Sequence, residues 1–276
     1  MLKSYTGFLT RYGTYRVVGE LKNIGTRVIG NIYVEVSFYD EEGGLIFSSV
    51  TKTELTVLSP GRTTPFTCEL TNKTQASRVH HCNVQIYNYT EVQSKQALLR
   101  LYAYYDLAGV RGEILSTGGS TTRSIRIIAT FYDKDGRVIE TSLDVIYQLD
   151  PWTPVEYIIF YPPPDASSIS IFRRARYYSV TAESIDYISE NEIRGEFRFS
   201  PFADFSVYPG TNASIGETLT FNASSSFDLD GEIVSYLWDF GDGSSAEGLV
   251  ATHSYTMSGN FSVKLTVIDN DRMNST

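Results

Sequence analysis

Two stretches of this chain repeat one another at a spacing of 93 residues. Val18-Gly19-Glu20-Leu21 returns as Arg111-Gly112-Glu113-Ile114, and Phe38-Tyr39-Asp40 returns as Phe131-Tyr132-Asp133. Each aromatic triplet leads into a turn, Glu41-Glu42-Gly43-Gly44 in the first copy and Lys134-Asp135-Gly136 in the second. Glycine tolerates positive φ, so these are hairpin signals. Further on, Ser59-Pro60 matches Asp150-Pro151, and Thr64-Pro65-Phe66 matches Thr153-Pro154-Val155. A unit of roughly 90 residues is longer than a solenoid repeat and fits a complete domain copied in tandem.

Within each copy the hydrophobic period is two. Ile32, Val34, Val36 and Phe38 share one face, and so do Ile125, Ile127, Ala129 and Phe131, while Arg126 and Thr130 face away. Such alternation, broken every few residues by turns, predicts an antiparallel sandwich. No helical stripe of three turns stands out. The chain has 276 residues, enough for two or three domains, and its 42% hydrophobic content excludes wholesale disorder.

The run Gly19-Glu20-Leu21-Lys22-Asn23-Ile24-Gly25, then Val34 to Asp40, then a glycine turn, resembles the FxLYD domain. That family implies a small immunoglobulin-like sandwich of prokaryotic surface and secreted proteins, without catalysis. The second copy departs from it, with Ser116-Thr117-Gly118 where the first has Asn23-Ile24-Gly25. From Pro201 onward the sequence is similar to a polycystic-kidney-disease (PKD) domain. The matching residues are Gly216 to Phe221, Asp228-Leu229-Asp230-Gly231, Tyr236-Leu237-Trp238-Asp239-Phe240-Gly241-Asp242-Gly243, His253-Ser254-Tyr255 and Leu265 to Asn270. Independently of that likeness, Tyr236, Trp238 and Phe240 alternate onto one face as a core, and Val263, Leu265 and Val267 alternate inward.

The expected fold class is all-β: three tandem immunoglobulin-like β-sandwich domains. Residues 1–93 and 94–180 form the two FxLYD-like copies. Residues 181–200 form a linker with a short strand near Ile193–Phe199. Residues 201–276 form the PKD-like domain. The family continues with a further short strand after the Asp269-Asn270 turn, so the expectation is a last domain truncated at its C-terminal end and a chain cut from something longer.

Charge narrows the partners. Residues 201–276 hold ten acidic and two basic residues, which accounts for most of the net charge of -9. An acidic chain has no extended track to neutralise phosphates, so nucleic acid is not an expected partner. No apolar run reaches the ~18 residues of a membrane-spanning segment. Met1–Thr10 lacks the apolar core of a signal peptide.

Several residues carry candidate chemistry. Calcium takes about six to eight oxygen ligands from loop carboxylates. The resemblance, in which some members bind calcium, makes Asp228, Asp230, Asp239 and Asp242 the candidate ligands; the alternative is that they cap turns. His80 and Cys82 would share a strand face, but two ligands do not close a zinc site. Cys68 and Cys82 lie seven residues either side of Gln75. In a hairpin centred there they face each other and can bridge as a disulfide, or stay as two buried thiols. Six glycosylation acceptors occur, Asn72, Asn88, Asn212, Asn222, Asn260 and Asn274, out of eleven asparagines. By alternation Asn222 and Asn260 face solvent, as an acceptor must. Arg173-Arg174-Ala175-Arg176 is the basic cluster and reads as a solvated strand face. No Ser-His-Asp or Cys-His arrangement and no phosphate loop is visible.

These features predict a non-catalytic extracellular or cell-surface glycoprotein module, anchored through a flank. Its work would be spacing or adhesion, with surface proteins or polysaccharides as partners and an archaeal envelope as the setting. The rival expectation is a substrate-targeting accessory region of a larger secreted hydrolase, marked by exposed aromatics in a plane.

Overall fold

The computed structural model describes residues 1–106, 109–160 and 175–276. Arg173 and Arg174 of the basic cluster lie outside the described residues. The described residues are nearly all strand or loop and form two compact units, Met1–Phe197 and Arg198–Thr276.

The first copy holds strands β1 (Leu2–Leu9), β2 (Tyr15–Lys22), β3 (Ile29–Tyr39), β4 (Leu45–Lys52), β5 (Val57–Leu58) and β6 (Thr63–Leu70). A single helical turn, α1 (Lys73–Ala76), then leads to β7 (His81–Glu91). β1, β2 and β6 make one antiparallel sheet. β3 carries β4 and β5 in turn along one edge and β7 along the other in a second sheet. Val17, Leu21 and Phe66 from the first sheet meet Ile32, Val34, Val36 and Phe38 from the second in a closed core. The inward alternation is the one expected.

The second copy repeats this plan with β8 (Gln96–Asp106), β9 (Gly109–Ser116), β10 (Thr122–Tyr132), β11 (Val138–Leu149), β12 (Val155–Phe160) and β13 (Tyr177–Glu183). β9 lies between β8 and β12 as β2 lies between β1 and β6. β10 lies between β11 and β13 as β3 lies between β4 and β7. The repeated glycine has a physical reason. A Cβ on Gly19 would stand 2.4 Å from the Phe66 ring, and one on Gly112 would stand 2.7 Å from the Tyr157 hydroxyl. In both copies the bare glycine lets an aromatic on the neighbouring strand lie across it. The repeated turn closes alike too: the Gly43 and Gly136 amides, both at positive φ, donate to the carbonyls of Asp40 and Asp133.

Two expectations are corrected here. The first concerns residues 181–200, expected as a linker. They finish β13 and then form β14 (Tyr187–Ser189) and β15 (Ile193–Glu196), which agrees with a strand near Ile193. β14 pairs with β13 on one side and, in parallel, with β8 on the other, joining the second copy's two sheets into one of eight strands. The mixed polarity that reads as linker is buried hydrogen bonding. The Ser184 and Thr122 hydroxyls are 2.8 Å apart, and the Ser189 hydroxyl takes a guanidinium hydrogen bond from Arg62 at 2.9 Å. The second concerns Cys68 and Cys82. β6 and β7 are no hairpin, because α1 stands between them and β6 pairs with β2 while β7 pairs with β3. Asn72 caps that turn, its side chain accepting from the Thr74 and Gln75 amides.

The two copies share one compact unit. The outer face of β1-β2-β6 lies against the outer face of β11-β10-β13. The Thr67 and Thr141 hydroxyls meet at 2.9 Å, and Thr6 donates to the Val138 carbonyl at 2.6 Å. The buried Glu20 accepts from the Tyr132 hydroxyl at 2.6 Å and pairs with Lys3. Phe8, Val18, Tyr132 and Val138 form a small apolar cluster there.

The second unit is a sandwich of β16 (Ser206–Tyr208), β17 (Leu219–Asn222), β18 (Ile233–Asp239), β19 (Ser245–Glu247), β20 (Val250–His253), β21 (Lys264–Asp269) and β22 (Asn274–Ser275). One sheet runs β16-β17-β20 and the other β19-β18-β21-β22. Phe221, Trp238, Phe240, Leu265 and Val267 fill the core. Tyr236, expected there too, is half-buried at its margin. The Trp238 indole N–H donates to the Gly248 carbonyl at 2.8 Å, which satisfies its polar end. A short strand does follow the Asp269-Asn270 turn: β22 pairs back on β21.

Candidate functional site

The four predicted calcium ligands fall into two places in the second unit. Asp239 and Asp242 belong to the turn after β18. Asp239 Oδ1 accepts from the Gly241 amide at 2.9 Å, and Asp242 Oδ1 accepts from the Ser244 amide at 2.9 Å. Both are turn caps. The Ser244 hydrogen bonds, with help from His253, pull the Asp242 carboxyl down to about 2.

Asp228 and Asp230 precede β18, where the turn after β21 comes close. Asp230 Oδ1 accepts from the Phe199 amide at 3.0 Å. Asp269, almost wholly buried, uses Oδ1 to cap its own turn, accepting from Asp271 and Met273 amides at 2.8 Å. Its Oδ2 is buried and has no hydrogen-bond partner, and Asp228 Oδ1 is in the same state. Burial, and next the nearby Asp269, raises the Asp228 carboxyl above its ordinary value. Gly231 makes room: a Cβ there would stand 2.1 Å from Asn270 Oδ1 and 2.6 Å from Asp228 Oδ2. Two orphaned carboxylate oxygens beside an amide oxygen are chemically a place for a hard cation. Yet no group of three or more His, Cys, Asp or Glu side chains among the described residues is arranged to hold a metal. Sequence reading found Asp228 and missed Asp269, whose Asp-Asn position in a strand-ending turn is its signal.

A Ser-His-Asp grouping does occur, but it is no nucleophilic triad. Asp242 Oδ2 lies 2.8 Å and Ser244 Oγ 3.4 Å from the same His253 nitrogen, Nε2. A triad needs the acid and the nucleophile on opposite ring nitrogens. His253 instead stacks on Phe240 with centroids 4.3 Å apart and meets the Tyr255 ring edge-on. That is a packing and hydrogen-bonding role.

In the first unit, Cys68 is buried, Cys82 is half-buried, and both are free thiols packed on the same core. Burial, and next the neighbouring Cys68, pushes the Cys82 thiol up to about 11. His81 stacks on Tyr39 at 5.0 Å with His80 edge-on to it. Of the six acceptors, Asn72, Asn88, Asn212, Asn260 and Asn274 are exposed. Asn222 is half-buried, its carbonyl capping the Ser224 amide at 2.9 Å. Exposed aromatics gather on the outer face of β8-β9-β12, where Tyr102, Tyr104 and Phe160 project.

Comparison with known proteins bears on the second unit. Residues 200–276 match the PKD domain family. A microbial collagenase of Vibrio alginolyticus is 42% identical over 70 residues, 25% of this chain and 9% of that protein. Collagenase ColA of Clostridium perfringens is 47% identical over 57 residues, 21% of this chain and 5% of its own length. The pre-pro-metalloprotease PrtV of Vibrio cholerae is 54% identical over 46 residues, 17% of this chain and 5% of its own. This chain thus matches under a tenth of the length of these relatives. All three are bacterial, so the expectation of an archaeal setting finds no support in them. The last quarter of the chain, residues 200–276, is a PKD domain.

Proposed function

We propose that this chain is a non-catalytic accessory region of a larger secreted hydrolase, acting outside the cell to hold the enzyme near a polymeric substrate. The observation that carries the reading is the PKD domain's likeness to segments of bacterial collagenases and a metalloprotease. It favours targeting over a free-standing spacer or adhesion module. In this reading the tandem copies, FxLYD-like by their glycine and Phe-Tyr-Asp motifs, set the distance between the PKD domain and its neighbours. Asp228, Asp269 and Asn270, with backbone oxygens, would hold a calcium ion that neutralises the half-buried Asp228 and buried Asp269 carboxylates and ties the two turns together.

The test is co-sedimentation of the whole chain with insoluble collagen fibrils, chitin and cellulose, with calcium and with chelator. Retention on one polymer, without its hydrolysis, is the expected result. A chain that stays in the supernatant with every polymer defeats the targeting reading and returns the spacer to first place.

A further inference from the structure

The contact between the two copies uses one face of each, and among the described residues of Met1–Phe197 the opposite faces carry exposed aromatic and aliphatic side chains. By register, the free faces correspond to the buried ones. β1 pairs Thr6 with Val18, and β8 pairs Tyr104 with Arg111, each one step from the repeated glycine. The β8-β9-β12 face of copy 2 therefore stands where copy 1 has the face that copy 2 covers. Likewise Ile128, which reaches the first copy's core, pairs with Leu143 and Thr181. Its counterpart Glu35 pairs with Val50 and Gln85. The β3-β4-β7 face of copy 1 stands where copy 2 has its buried contact face.

The chemistry of the contact is partly kept on the free faces. The buried pair of Glu20 and Tyr132 has Glu113 and Tyr39 as its counterparts, the same two residue types. Tyr132 pairs with Val138, which is fully buried in the contact; Tyr39 pairs with Leu45, which is 62% exposed. Tyr104, standing where Thr6 makes its bond, is 60% exposed. Apolar residues held open on opposite outer layers of one compact unit are what a stacking contact leaves at its ends.

We infer that the β8-β9-β12 face of one molecule receives the β3-β4-β7 face of a second copy of this chain, repeating between molecules the contact that joins the tandem within one. The two faces differ, so the association is head-to-tail and has no built-in stop.

Sedimentation velocity over a rising concentration series tests this on the full chain. The expected result is an average mass that climbs past two chains. Tyr104→Asp and Leu45→Asp each place a charge on one exposed face and leave the core untouched, so each variant alone should remain monomeric. Mixed together, they retain one good face apiece and should form a one-to-one pair that cannot extend. A wild-type chain that is monomeric throughout overturns the inference, as does association that survives both substitutions or a mixture that fails to pair. Loss of polymer retention by Tyr104→Asp in a monomeric chain would assign that face to the polymer instead, and overturns it equally.

Discussion

Asp228 shows how a single residue reports on its surroundings. Its carboxyl is raised because burial and Asp269 both disfavour the charged form. For a carboxylate raised on folding, the penalty is absent below the unfolded value and grows as pH climbs through the folded one. Asp228→Asn should therefore raise the melting temperature at pH 7 in chelator and change it little near pH 3. With calcium present the gain should shrink or reverse, because the variant discards a ligand charge. No gain in chelator would show that the two orphaned oxygens carry no strain. Asp242 works in the opposite sense. Its contribution is present above its unfolded value and is lost as pH falls toward about 2, so Asp242→Asn should lower stability at pH 7 but not at pH 2. The cysteines give a third residue-level expectation. With Cys82 pushed up to about 11, the folded chain should react slowly with a thiol reagent at pH 8, and two thiols should appear on unfolding in denaturant. Zero thiols in denaturant would mean the pair bridges after all.

At the scale of elements, alternation and the repeated motifs made most strands legible, since a half-buried strand writes its burial into every second residue. What they could not show is which strands pair. Phe66-Cys68-Leu70 and Cys82-Val84-Ile86 each read as strands, and the shortest connection between them is a hairpin. Asn72 diverts the chain through α1 instead, and β7 enters the other sheet. The same limit hid β14, whose serines look like linker until their partners across the sheet are known. It also hid the join between copies, where residues far apart in sequence meet. Lys95 lies 2.7 Å from Glu183, which is nearly buried and also accepts from the Thr56 amide at 2.6 Å. Removing the lysine strands a buried charge, so Lys95→Met should cost about 3 kcal/mol in denaturant unfolding. Replacing Glu183 with Leu as well should recover part of that. A loss under about 1 kcal/mol for Lys95→Met would place the pair with ordinary surface bridges.

The described residues divide into two compact units, with one apolar core inside the first copy and another around Trp238. The PKD domain was readable because its Trp-Asp-Phe-Gly-Asp-Gly run fixes a core aromatic and a turn together. The division of the rest was less so, because a repeat in sequence says that a domain was copied and not whether the copies melt apart. Buried ionic and hydroxyl contacts between the copies couple their unfolding: losing one copy would expose Glu20, Tyr132 and Thr141 on the other. Calorimetry of the full chain should accordingly show two transitions and not three. Calcium and Asp228→Asn should move the transition of residues 198–276 alone, and Lys95→Met should move only that of residues 1–197. Three transitions would mean that the copies unfold singly and that their shared face is an ordinary surface contact. A single transition shifted by all three changes would mean that the two units unfold as one cooperative body.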